Sequence, residues 1–218
     1  MTAGSLIDIS RHERSAARTD SCPVFDAITR LRAGEIVMVC DDSASSATYD
    51  LVCAADRLTT DRAAFMVRHT SGFLQVALRD PVCDRLQIPP VAPNADRLSS
   101  QQCVAVDAAV GVGTGISATD RTRTINRLGA PDAVSNDFTR PGHVVPIRVA
   151  SQPLRHDTAS LALTLVEMSG STAAVFATVV DADGLTEGLP TSTESAAFAA
   201  RHGLAVIGLA QVAHARSA

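Results

Sequence analysis

The chain has 218 residues, of which 46% are hydrophobic and 19% charged, with a net charge of −4; these proportions fit one sizeable globular core. Its basic residues are all Arg, Trp is absent and Tyr49 is the only Tyr, so there is no basic stripe with interleaved aromatics and nucleic acid is not an expected partner. No apolar run approaches the roughly 18 to 20 residues of a membrane helix, and the N-terminus, with Asp8, Arg11, Glu13 and Arg14, lacks the apolar core of a secretory leader. The expectation is a cytoplasmic protein without membrane contact, whose five cysteines, lacking CxxC spacing, are reduced and mostly buried.

Residues 1–22 mix Ser, Arg, Thr and Asp without periodicity and read as an N-terminal arm, with a single domain over 23–218. Phe25, Ile28 and Leu31 recur at helical spacing before Gly34, and the β-rich run Ile36 to Cys40 follows as a buried strand. Asp41 to Tyr49 reads as a small-residue loop. Thr59, Thr60 and Asp61 cap a second helix that buries Ala63, Phe65 and Met66. Strands are expected at Phe73 to Leu78 and Cys103 to Val106, with a loop from Pro89 to Ser100 between them. An Arg-rich helix runs from Thr119 to Leu128. Beyond it come a strand at Val144 to Val149, a helix at Thr158 to Met168, a strand at Ala173 to Val180, a helix at Ser192 to Arg201 and a strand at Leu204 to Leu209. The order predicts an α+β single domain, a mixed sheet flanked by helices.

Three stretches carry a resemblance. They are Gly34-Glu35-Ile36-Val37-Met38-Val39-Cys40-Asp41-Asp42 running on to Arg68-His69-Thr70-Ser71-Gly72; Gly111 through Gly115 and Ile116 to Thr124; and Asp137-Phe138-Thr139-Arg140-Pro141-Gly142-His143-Val144-Val145-Pro146. On these the chain resembles the 3,4-dihydroxy-2-butanone-4-phosphate synthases of riboflavin formation, from about residue 24 to 212. The resemblance implies that fold, a small-molecule substrate and a homodimer with its active site near the subunit interface.

The same resemblance exposes departures. The family's acidic loop, Asp-Asp-Glu-Asp-Arg-Glu-Asn-Glu-Gly-Asp, corresponds here to Asp41 through Asp50. Ser45 stands for the substrate Arg, Ser46 for the magnesium-binding Glu and Tyr49 for the Gly, while Asp50 is kept. Counting without gaps, Arg155 matches a substrate Arg, Thr158 replaces the metal-binding His, and Thr178 replaces a Glu of proton transfer; His156 lies two positions early. The resemblance makes His143 the surviving acid–base residue, since an imidazole exchanges protons readily near neutral pH. Tyr49 is a second catalytic candidate at the mouth of the pocket, and Asp50, Arg155, Thr158, Thr178, Ser45 and Ser46 are candidates to line a substrate site.

With the metal ligands replaced, the sequence predicts neither a metal nor another cofactor. Skeletal rearrangement of ribulose 5-phosphate relies on a divalent ion to polarise neighbouring oxygens. The expectation is therefore a metal-independent enzyme that isomerises, cyclises, dehydrates or condenses a carbonyl compound. The alternatives are a non-catalytic binding homologue and residual synthase activity. The Gly111, Gly113, Gly115 run lacks a following Lys and is no phosphate loop, and Cys53, within Leu51 to Ala55, reads as a buried structural thiol.

Overall fold

The structure, a computed structural model, describes residues 23–41, 47–92, 100–151, 157–180 and 188–217. The elements in chain order are α1 (Pro23–Arg32), β1 (Val37–Asp41), β2 (Thr48–Ala54), α2 (Thr60–His69), β3 (Gln75–Arg79), α3 (Asp80–Arg85), β4 (Gln101–Gln102), β5 (Val106–Ala108), α4 (Ala118–Gly129), β6 (Phe138–Val149), α5 (Thr158–Met168), β7 (Ala174–Thr178), α6 (Ser192–His202), β8 (Val206–Gly208) and α7 (Leu209–Ser217). One mixed sheet in the order β4-β6-β3-β7-β2-β1-β8, with β5 paired to β6, organises them. The β3–β6 and β1–β8 pairs are parallel and the others antiparallel.

Both faces of the sheet are covered, which is why its central strands are apolar almost throughout instead of alternating with polar residues. Met38, Leu51, Val76 and Val175 face one core, which is closed by Met66 of α2, Ile125 and Leu128 of α4, and Phe198 of α6. Val39, Val52, Ala77 and Phe176 face the other, closed by Leu31 of α1, Leu163 and Leu165 of α5, and Val212 of α7. The caps agree with the sequence: Thr59 accepts from the Arg62 amide at the start of α2, and Ser117 from the Asp120 amide at the start of α4.

Several boundaries differ from the sequence expectation. Thr48–Ala54, whose first two residues are expected as loop, is β2, which folds back on β1 with Asp41 opposite Thr48. The strand expected at Cys103 to Val106 is two short strands, β4 and β5, both paired to β6. Phe25 is 63% exposed, because α1 buries the stripe of Val24, Ala27, Ile28 and Leu31 one residue round. The last expected strand is cut short at Gly208, whose amide donates to the Gln211 side chain as α7 begins.

Candidate functional site

β6 holds the best-formed polar constellation. Its Arg140-Pro141-Gly142-His143 segment lies against β5, and the pairing register slips between Val106 and Asp107. At that irregularity the Asp107 carboxylate reaches His143 twice: Oδ1 accepts from the backbone amide at 3.0 Å, and Oδ2 lies 2.7 Å from imidazole Nδ1. Asp107's side chain is only 11% exposed, whereas that of His143 is 43% exposed. Asp107 Oδ2 accepts a hydrogen bond from Nδ1–H, which fixes the ring and leaves Nε2 as the nitrogen open to exchange a proton.

Gly115 completes this corner. A Cβ there would fall 2.1 Å from Asp107 Oδ2 and 2.6 Å from His143 Nδ1, and its φ is +80°, so only a glycine backbone fits over the pair. Its amide donates to Asp120 in the first turn of α4, while Thr124 of the same helix accepts the Ala108 amide. The helix start and β5 thus hold the glycine-rich segment in place. Arg121 adds a second tie, donating to the carbonyls of Ile116 and Gly72.

A second polar spot lies in β2 and β7, where Asp50 is opposite Thr178 and the threonine hydroxyl donates to Asp50 Oδ1 at 2.7 Å. Asp50 is 3% exposed. Burial raises its carboxyl from 3.8 to about 6; the Thr178 hydrogen bond opposes the rise and the Asp41 charge adds to it. Tyr49 does not join them. Successive strand residues face opposite ways, so Tyr49 points with Leu51 and Cys53 into one core while Asp50 shares the other face with Val52. At 7% exposure Tyr49 fills the core, and the expectation of a phenol at the pocket mouth is corrected.

The raised Asp50 value has a measurable consequence. The folded chain binds the Asp50 proton more tightly than the unfolded chain, so this contribution to stability is complete below 3.8 and is lost as pH rises through about 6. The shift corresponds to about 3 kcal/mol. Asp50→Asn keeps an acceptor for Thr178 without the charge, and denaturant melts from pH 4 to 7 should show the variant losing about that much less stability than the parent. Parallel curves for the two proteins would contradict the account.

The two spots lie along one edge of the sheet but apart. Thr178 and His143 are each two residues beyond the partners of Gln75, Phe176 and Val145. From β2 to β6 there are three strand spacings, about 14 Å. One chain therefore does not bring His143 and Asp50 together. Thr158 opens α5 beside its cap Asp157, which accepts from Ser160 and Ser100, and has no hydrogen bond to Asp50 or Thr178. Ser45, Ser46, Arg155 and His156 lie outside the described residues. Among the described residues, cavities of about 600, 460 and 310 Å³ contain none of the sequence-predicted site residues.

The profile of the family described as 3,4-dihydroxy-2-butanone 4-phosphate synthase matches residues 25–215. The chain belongs to this family. The riboflavin biosynthesis protein RibBA of Mycolicibacterium gilvum is 40% identical over 198 residues, covering 89% of this chain and 46% of that protein; RibBA of Mycobacterium tuberculosis H37Rv is 41% identical with the same coverage. The chain thus spans about half the length of these curated relatives. A crystal structure of 3,4-dihydroxy-2-butanone 4-phosphate synthase in complex with two magnesium ions superposes with a TM-score of 0.80 at 35% identity, over 88% of this chain and 95% of that one. The synthase of Candida albicans gives 0.80 at 31% identity, over 90% and 98%.

These relatives correct the expectation of a metal-independent isomerase, cyclase, dehydratase or condensing enzyme. Likeness at this level runs through nearly the whole chain. The magnesium ions belong to that relative's structure; here the segments 42–46 and 152–156, with Ser45, Ser46, Arg155 and His156, lie outside the described residues. Among the described residues no three His, Cys, Asp or Glu side chains cluster. Asp50 accepts a hydrogen bond from the Thr178 hydroxyl, and burial raises its carboxyl to about 6.

Sequence reasoning missed Asp107. The signal was available: it is the one charged residue between Cys103 and Gly111, in a run otherwise apolar, and a buried carboxylate in such a run calls for a partner.

Proposed function

We propose that the chain converts ribulose 5-phosphate in the manner of the synthases it resembles, with Asp107 and His143 as the proton-transfer pair. The observation that carries this reading is the 2.7 Å contact of Asp107 with His143 in the Pro141-Gly142-His143 segment on which the chain matches the family. A ketose phosphate loses a proton from carbon next to its carbonyl during enolisation, and a fixed imidazole with Nε2 open accepts it. Asp107 stabilises the imidazolium that results.

The site is completed in a homodimer. Phe73 is 45% exposed, and Ile116, which follows Gly115 and whose carbonyl Arg121 joins to that of Gly72, is 54% exposed; a second copy covers this apolar surface beside the glycine that lies over Asp107 and His143. Covering it from a partner also supplies the groups that lie too far from His143 in its own chain. Sedimentation at micromolar concentration should show a dimer, and a monomer would count against this arrangement.

The substitutions at Ser45, Ser46, Thr158 and Thr178 weaken the hold on a divalent ion and slow the reaction without changing its kind. Incubation of the purified protein with ribulose 5-phosphate and magnesium should yield 3,4-dihydroxy-2-butanone 4-phosphate by mass spectrometry, with a rate that saturates only at high magnesium, as expected of few and neutral donors. Saturation in the micromolar range would overturn the weak-hold reading. Absence of product from a folded dimer would overturn the activity itself.

A further inference from the structure

The segment that covers Asp107 and His143 is tied down by α4. The Gly115 backbone lies so close over the pair that a Cβ there would strike both; its amide donates to Asp120 Oδ2 at 3.1 Å, and the carbonyl of the next residue, Ile116, accepts from Arg121 Nε at 2.9 Å. Arg121 also reaches out of its own helix. Its Nη1 donates at 2.7 Å to the carbonyl of Gly72, 49 residues away in sequence.

Gly72 belongs to the turn between α2 and β3, and further hydrogen bonds fix that turn. Thr70 Oγ1 donates to the Met66 carbonyl and accepts from the Gly72 amide, and the Ser71 amide donates at 2.9 Å to the Thr178 carbonyl. Thr178 is the residue whose hydroxyl holds Asp50. A run of covalent and hydrogen bonds thus leads from Asp50 and Thr178, through the turn and Arg121, to the cover over His143.

We infer that Arg121 is a positioning residue for proton transfer: its guanidinium pins the Gly115–Ile116 segment to the Gly72 turn, and so keeps the Asp107–His143 pair covered and at a fixed offset from Asp50 and Thr178. This rests on the reading of His143 as the proton-transfer group. A planar guanidinium presents its N–H groups in a rigid fork, so two carbonyls bound at once are held at a set separation, and a charged donor strengthens both bonds. The effect on His143 is indirect, through two backbone carbonyls. Without the fork, the segment keeps its Asp120 tie but loses its link to the turn, and water competes with His143 Nδ1–H for Asp107 Oδ2. The imidazole then turns more freely, and the loss is one of orientation.

Arg121→Met keeps the aliphatic stem and removes every donor, and Arg123→Met, which takes the same charge from the same helix, is the control. In the whole protein labelled with nitrogen-15 histidine, the Nδ1 proton of His143, facing Asp107 at 2.7 Å, should give a downfield resonance, assigned by its loss in His143→Gln. Arg121→Met should broaden that resonance away by exchange with water, and Arg123→Met should leave it in place. With ribulose 5-phosphate, Arg121→Met should lower kcat by about tenfold while KM stays within about twofold. Arg121→Lys, which keeps the charge without the fork, should fall between, and it decides alone if Arg121→Met does not fold. A parent-like resonance in the folded variant would overturn the inference, as would a parent without the downfield signal or a rise in KM at unchanged kcat. If even the parent fails to turn over the substrate, the proposed activity is what has failed, and the resonance still decides whether Arg121 holds the pair.

Discussion

Replacing His143 with Gln is expected to lower turnover of ribulose 5-phosphate by about 100-fold or more, the usual scale for a positioned acid–base group, with fold and dimer intact. Gln can still donate its backbone amide to Asp107 and occupy the same volume, so what it removes is the proton-exchanging nitrogen. Asp107→Asn should cost at least about tenfold and change the pH profile, since the carboxylate that fixes the ring and stabilises its charged form is gone. Tyr49→Phe should leave the rate unchanged, because its ring lies on the opposite face of β2 from Asp50. Steady-state rates with circular dichroism on each variant test the set. Unchanged turnover in folded His143→Gln would place proton transfer on another group.

The second large effect is expected from Gly142→Ala. A Cβ at this position would lie 2.0 Å from the Val106 carbonyl carbon and 2.2 Å from the Asp107 amide nitrogen, closer than any rotamer change can relieve, because the obstacle is backbone. β5 must move off β6, and the Asp107 hydrogen bonds to His143 go with it. The expected cost is about 3 kcal/mol, a fall in Tm of roughly 6 to 12 °C for a chain of this size, with activity lost as well. Gly113→Ala is the control: its Cβ would meet nothing nearer than Asp120 Oδ2 at 3.7 Å, an ordinary contact, so Tm should hold within about 2 °C. Equal melting curves for the two variants would refute the close-approach argument.

The helices were legible in sequence because their apolar stripes and caps are local. Thr158–Met168 was read with the observed bounds, and Ala118–Gly129 within a residue at each end. The start of β2 was hidden because Ser, Ala and Thr before Tyr49 carry no period, and only pairing with β1 and β7 makes the segment a strand. α3 was missed for a similar reason: six residues with Pro81 at the start show too little of a turn to register as periodic. His143 could be singled out from its motif, but its partner could not, since Asp107 meets it only through a slipped register between strands 30 residues apart. Tyr49 was misplaced because substitution of a family glycine says that space is filled, not from which face of the sheet.

The place of β1 in the sheet bears on how the chain is made as well as how it is built. Its apolar Val37, Met38 and Val39 lie between β2 and β8, and β8 begins only at Val206; β2 in turn needs β7, which begins at Ala174. A polypeptide emerging from the ribosome at roughly 5 to 20 residues per second must leave the outer edges of the β1–β2 pair open for many seconds before β7 and β8 exist. During that interval the largely apolar edges of β1 and β2 are open to strands of neighbouring nascent chains. Yield in a heterologous host should accordingly depend on chaperone supply and growth temperature more than on the stability of the finished molecule.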